Sequence, residues 1–206
     1  MVVLWACALM CPAACASERA GDERASADAR YMARWVVQSG DHQGMPFAIV
    51  DKKDAKLLVF APSGRIIGVA PALLGSAPGD HSVPGVGLRE VSAILPSERT
   101  TPAGRFISEP GRNDTGEDVV WVDYDAALSI HRVRSGNARE RREQRLASAT
   151  PDDNRISLGC IVVTAAFYDA VVSPTLGKRR GVVYVLPETR PVHDMVGAYQ
   201  LSLQAQ

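Results

Sequence analysis

The stretch Phe47–Gly75, "FAIVDKKDAKLLVFAPSGRIIGVAPALLG", decides the architecture. Its apolar runs FAIVD, KLLVFAP and RIIGVAPALLG are short and rich in β-branched residues, and turn-forming groups at Lys52–Ala55 and Pro62-Ser63-Gly64 separate them. Such runs read as strands, and turns at this interval fold consecutive strands back on one another, so the segment is expected to form an antiparallel meander.

The same pattern returns downstream. DVVWVDY and ALSIHRV read as two strands around a turn at Asp125, and GVVYVLP, bounded by Gly181 and Pro187, reads as a late strand. Upstream, Ala29, Met32, Ala33, Val36 and Val37 recur at helical spacing, with Ser26 placed to cap the start and Gly40 just past the end. TAAFYDAVVSPTL predicts a short helix with Thr164 as its N-cap. PGVGLREVSAILPSERTTPAG lacks periodicity and is rich in Pro and Gly, which marks a long loop of the functional kind. The expected fold is therefore mainly β with a few short helices, preceded by one N-terminal amphipathic helix.

Residues 1–16, MVVLWACALMCPAACA, form an apolar run that ends in small residues, and Ala14-Cys15-Ala16 before Ser17 fits a cleavage site, so they read as a signal peptide. The chain then divides into an N-terminal segment with its helix (17–45), a main domain (46–188) and a C-terminal tail (189–206). Cys7, Cys11 and Cys15 all fall in the leader, and Cys160 is the cysteine that remains after cleavage. An unpaired cysteine in an exported chain signals a reactive thiol or an intermolecular bridge. Membrane anchoring would follow only from lipidation of Cys15, where Pro12 stands in place of the Leu of a lipid-attachment signal.

With 23 basic and 23 acidic residues the chain has no excess charge to draw it to a polyanion. The arginine-rich stretch 132–155 carries no aromatic side chains for base stacking, so nucleic-acid binding is not expected. His42, His81, His131 and His193 are scattered without ligand spacing, which gives no zinc site, and no glycine-rich phosphate loop follows a strand. No cofactor is expected.

Cys160 follows Gly159 in Ser157-Leu158-Gly159-Cys160-Ile161 and lies upstream of the expected helix, where backbone N–H groups and the helix dipole would favour a thiolate and hold an oxyanion. Its best-placed base is His131, at the end of the strand ALSI. The competing reading of the same residues is a small buried thiol and a structural histidine.

NRISLGCIVV (154–163) resembles the active-site motif of the L,D-transpeptidases, the YkuD-type catalytic domain, written S/T-H-G-C followed by Ile or Leu and an Arg or Asn, with an upstream His on a strand. FAIVDKKDAKLLVFAPSG resembles the opening hairpin of that domain, and Thr101-Pro102-Ala103-Gly104-Arg105-Phe106 its T-P-x-G-x-F signature. The resemblance runs from about Phe47 to Pro187. It implies an L,D-transpeptidase-like β-sandwich or barrel in which Cys160 is the nucleophile, His131 the general base, Gly159 and Cys160 the oxyanion donors and Ser157 a supporting residue.

The implied activity is acyl transfer from the tetrapeptide stem of peptidoglycan in the periplasm or cell envelope, with release of D-alanine. A hydrolase on the same fold (an L,D-carboxypeptidase or amidase) and a catalytically silent wall-binding domain are the alternatives. The chain departs from the motif at Leu158, which replaces His, at Val162, which replaces Arg or Asn, and in the 28 residues that separate His131 from Cys160. The arginines of that extra segment read mainly as a solvated, ion-paired face. Arg155, five residues from the thiol, is the one expected to meet a substrate carboxylate.

Overall fold

A computed structural model describes residues 23–134 and 138–204. The leader, Cys15 and the cleavage site, and Ser135–Asn137 of the arginine-rich segment, lie outside the described residues.

The meander forms as expected: β1 (Phe47–Asp51), β2 (Lys56–Phe60) and β3 (Ile66–Pro71) pair antiparallel in sequence order. The turn after β2 closes with Ala61 and Arg65 bonded to each other and Gly64 at φ +84°. β10 (Gly181–Val185) lies parallel to β1 on the other side, followed by β5 (Gly104–Arg112), β6 (Asp118–Asp123), β7 (Leu128–Arg132) and β9 (Ile161–Val163), giving one eight-stranded sheet. The sheet curls until its ends meet: Leu73, just beyond β3, exchanges two backbone hydrogen bonds with Val162 of β9 at 2.7 and 2.9 Å. A short parallel pair, β4 (Leu74–Gly75) with β8 (Arg155–Ser157), continues this seam.

Alternation along the strands sends one set of side chains inward. Ala48, Val50, Leu57, Val59, Ile130, Ile161, Val183 and Val185 fill the interior, closed from below by Tyr168, Val172 and Leu176. Tyr168 and Val172 belong to, and Leu176 directly follows, a helical segment made of α3 (Ala165–Phe167), a π-type turn (Tyr168–Val172) and α4 (Ser173–Thr175), with Thr164 capping Phe167 N–H as its sequence position suggests. The outward set on β1, β2 and β10, namely Phe47, Ile49, Leu58, Phe60, Val182 and Tyr184, is covered by α1 (Ala27–Ser39) and by α5 (Val192–Gln204), the helix formed by most of the C-terminal tail. β1 and β10 are thus buried on both faces, which is why they read as unbroken apolar runs.

Ser26 caps α1 by accepting from Ala29 N–H at 3.0 Å, and Gly40 ends it at φ +69°. Its buried stripe is Ala29, Met32, Trp35 and Val36; Trp35 turns in toward Tyr184, whereas Val37 is 43 % exposed at the flank, over the turn at Gly64. The expected face was therefore right at its centre and displaced at one edge. No helix among the described residues is long and apolar enough to cross a membrane.

Met32 is fully buried between α1 and the sheet. Met32→Ala is expected to lower unfolding stability by about 2–5 kcal/mol, measured by urea denaturation; a change near zero would mean that α1 is not part of the cooperative unit.

Candidate active site

β7 and β9 run parallel with Ile130 opposite Ile161 and His131 opposite Val162. Ile130 and Ile161 point into the core, so Ser129 and His131 on one strand and the residue just before β9, Cys160, share the outer face. Ser129 Oγ lies 3.7 Å from Cys160 Sγ, and the thiol itself points to the Ala127 carbonyl at 3.4 Å. His131 Nδ1 is 2.7 Å from the Arg132 carbonyl. A carbonyl only accepts, so Nδ1 carries the proton and the lone pair of the neutral ring is on Nε2.

Burial pushes the Cys160 thiol pKa up, but the neighbouring His131 and the N–H and hydroxyl of Ser129 outweigh this, and the net shift is downward. The carbonyl that orients His131 is itself fixed. Arg132 stacks over the Tyr168 ring at 4.1 Å and pairs with Asp118 at 3.0 Å and with Asp169. Tyr168 is pushed up to about 12 by burial and the neighbouring Asp118.

The turn that presents the sulfur is tied at both ends. Ser157 Oγ donates to the Cys160 carbonyl at 2.6 Å and accepts from Gly159 N–H at 3.1 Å. Thr101 Oγ1 donates to the Gly159 carbonyl at 2.7 Å and accepts from Gly75 N–H at 2.9 Å. Gly159 has φ +141°, and a Cβ there would lie 2.9 Å from the Thr100 carbonyl oxygen, so the position demands glycine.

These contacts revise two expectations. Gly159 N–H is engaged by Ser157 and is not an idle oxyanion donor. The helix starts where the sequence placed it, after Thr164, but the whole of β9 separates Ala165 from Cys160, so the helix dipole expected to favour the thiolate is not at the sulfur.

Arg155 is not brought to the thiol. It is bound by Glu188 and donates to the Lys52 carbonyl at 2.8 Å. That places it in a buried ion cluster in which Lys52 Nζ meets Asp80 at 2.7 Å, Glu188 at 3.4 Å and the Thr101 carbonyl at 3.0 Å. Burial raises the Asp80 pKa, yet its bonds from Lys52, Thr189 and Glu188 N–H hold it well below the usual carboxylate range. The substrate role expected of Arg155 is thus replaced by an anchoring one. Arg132, Arg134 and Arg142 are likewise paired, with Asp118 and Asp169, Glu117 and Glu140. His42 faces the carbonyls of Val36 and Pro62, and His193 packs on Tyr31.

Val162 is fully buried with Leu73 and with Leu146 of α2 (Arg142–Ala147), the helix inside the arginine-rich segment. Leu158 is 37 % exposed and, with Cys160, lines a cleft of about 400 Å³. The long loop supplies the facing wall from Val86 to Val91 with Ile94 and Glu98, and Ala126–Leu128 close one side. Sequence reasoning missed Ser129 and Thr101 as site residues; the period-2 spacing of Ser129 and His131 on one strand was the available signal.

The lowered thiol predicts a pH profile. Alkylation of native Cys160 by iodoacetamide should follow a titration whose midpoint lies below that of the denatured chain. His131→Ala should move it upward, and Ser129→Ala should do so less; an unmoved midpoint in His131→Ala would refute the pairing.

No family model matches the chain, and no match is found among curated proteins. Among solved structures the chain is similar to an L,D-transpeptidase from Xylanimonas cellulosilytica, with 17 % identity over 68 % of this chain and 60 % of that one and a TM-score of 0.41. An L,D-transpeptidase from Mycobacterium smegmatis matches at 15 % identity over 68 % and 58 %, TM-score 0.39. The catalytic domain of the E. faecium L,D-transpeptidase matches at 17 % over 68 % and 96 %, TM-score 0.39. The match spans about three fifths of the length of the first two neighbours.

Proposed function

We propose that the chain is a cysteine acyltransferase that acts on peptidoglycan stem peptides. The observation that carries this reading is the placement of Cys160 at the wall of an open cleft, with Ser129 Oγ 3.7 Å from its sulfur, His131 on the same face of β7 and the imidazole tautomer fixed by the Arg132 carbonyl. The three sequence motifs in order supply the substrate class.

In the mechanism this geometry supports, His131 Nε2 takes the proton of Cys160 and the sulfur attacks the donor peptide carbonyl. The Cys160 N–H is the backbone donor assigned to the developing oxyanion. As the C–N bond breaks, the imidazolium returns its proton to the leaving amine, which departs as D-alanine and leaves a thioester. An acceptor amine then attacks the thioester, His131 takes its proton, and the thiol is regenerated. The Arg132 carbonyl does for His131 what a carboxylate does in other triads: it holds the ring and stabilises the N–H that faces it.

Burial of Val162 under Leu146 and Leu73 gives its departure from the motif a packing origin, which weakens the case for a silent wall-binding domain. Peptidoglycan lies outside the cytoplasmic membrane, so the reading assigns residues 1–16 an export role.

The test is incubation with a tetrapeptide stem followed by intact mass measurement. A thioester adduct on Cys160, absent in Cys160→Ala, and D-alanine release with amine-exchanged product are the expected results. D-alanine release without exchange would make the chain a hydrolase, and no adduct and no release would overturn the reading.

A further inference from the structure

The cleft on which Cys160 opens has exposed apolar side chains on both of its walls. Of the eight large apolar side chains exposed among the described residues, three line this cleft: Leu88 at 90 %, Val91 at 59 % and Leu158 at 37 % exposure. A single exposed leucine is ordinary, but apolar surface grouped around one cavity marks a place where a ligand is received.

Both walls are held in place. Leu158 lies two residues before Cys160, on the turn tied by Ser157 and Thr101. Leu88 and Val91 belong to the 3-10 turns Val86–Leu88 and Val91–Ala93 of the long loop, in which Val86 and Ile94 are buried. Gly87 lies so close to the β6–β7 turn that a Cβ there would stand 2.6 Å from Ala127 N. The Ala127 carbonyl is the one that the Cys160 thiol meets, so the loop wall and the nucleophile are set against the same turn. A preformed wall of this kind costs little further ordering when it receives a ligand.

The charges at the cleft decide what kind of group fits. Arg89 is neutralised by Glu98 at 3.1 Å, and its Nε and Nη2 have no exposed surface, so it presents no cation to a ligand. Glu90 and Asp114 are exposed, and neither has an ion-pair partner among the described residues. A carboxylate laid against this wall would meet like charge without a compensating cation, whereas an aliphatic group is stabilised by leaving water.

We propose that Leu158, faced by Leu88 and Val91, is the specificity-determining residue of the Cys160 cleft, and that the acyl donor presents an uncharged aliphatic side chain to it beside the scissile bond. The inference rests on the acyl-transfer reading for what enters the cleft, and it names what that donor carries. The aliphatic group belongs to the residue whose carbonyl is attacked or to the residue that leaves.

Calorimetry on full-length Cys160→Ala, which binds without reacting, separates these two sources. The probes are tetrapeptides that carry leucine or the near-isosteric asparagine at the acyl residue, and a second pair that carries the D-forms of the two at the leaving residue. At one of the two positions the leucine peptide is expected to bind about tenfold or more tightly than its asparagine partner, and that position identifies the source. Adding Leu158→Asn, or Leu88→Ser on the opposite wall, should bring the ratio toward one. Iodoacetamide labelling of each substitution with Cys160 intact, at the midpoint of the unsubstituted chain, shows that the nucleophile turn is folded. A ratio of one at both positions, a ratio unchanged by both substitutions, or no binding at millimolar peptide would overturn the assignment. A leucine preference without any thioester in the native chain would uphold Leu158 and refute acyl transfer, and a thioester formed without preference would do the reverse.

Discussion

The parallel pairing of β7 with β9 is the constraint on which the site depends. In a parallel ladder, residues that are side by side point to the same face, so Ile130 and Ile161 enter the core together while Ser129, His131 and the approach to Cys160 face outward together. A slip of β9 by one residue would send the thiol inward while the imidazole stayed on the outer face. A parallel pair also cannot be joined by a tight turn; it needs a crossover of a dozen residues or more. The 28 residues between His131 and Cys160 are that crossover. They return by burying Leu146 on Val162 and by Asn154 donating to the Ala72 carbonyl at 3.1 Å.

The pairing sets the face, and a second set of bonds sets the position. The Lys52, Asp80, Glu188 and Arg155 cluster joins the β1–β2 turn, the start of the long loop, the end of β10 and β8 in one neutral knot of two cations and two anions. From it the Thr101 carbonyl is held by Lys52, and the Thr101 hydroxyl holds Gly159. A buried charge cluster is weak evidence for stability, since desolvation offsets much of the attraction. Its directional bonds fix geometry instead, and here they end one residue from the nucleophile.

Much of this was legible in the sequence because it is local or periodic. The meander, the late strand at Gly181 and the caps at Ser26 and Thr164 depend on neighbours along the chain. Val37 was misplaced because helical periodicity gives a stripe but not its edges; the sheet that α1 lies on decides between Trp35 and Val37. Arg155 was misread for a related reason: proximity in sequence to Cys160 does not give direction. Three residues of β8 and the turn at Ser157 aim it away, toward Glu188. Thr101 was read as part of a signature but not as a tether of the nucleophile turn, since its partner Gly159 lies 58 residues away.

The replacement at Val162 connects these strands of the argument. A polar side chain at that position would sit on the outer face of β9, beside the nucleophile, where Leu73 and Leu146 now cover it. Burying an unpaired guanidinium there would be strongly unfavourable, so the presence of α2 and a polar residue at 162 are mutually exclusive as packed. The crossover thus closes one side of the site with apolar contacts. On the opposite wall of the cleft, Arg89 of the long loop is paired with Glu98. The departure at Val162 thus follows from one packing contact made 14 residues upstream of Cys160, at Leu146.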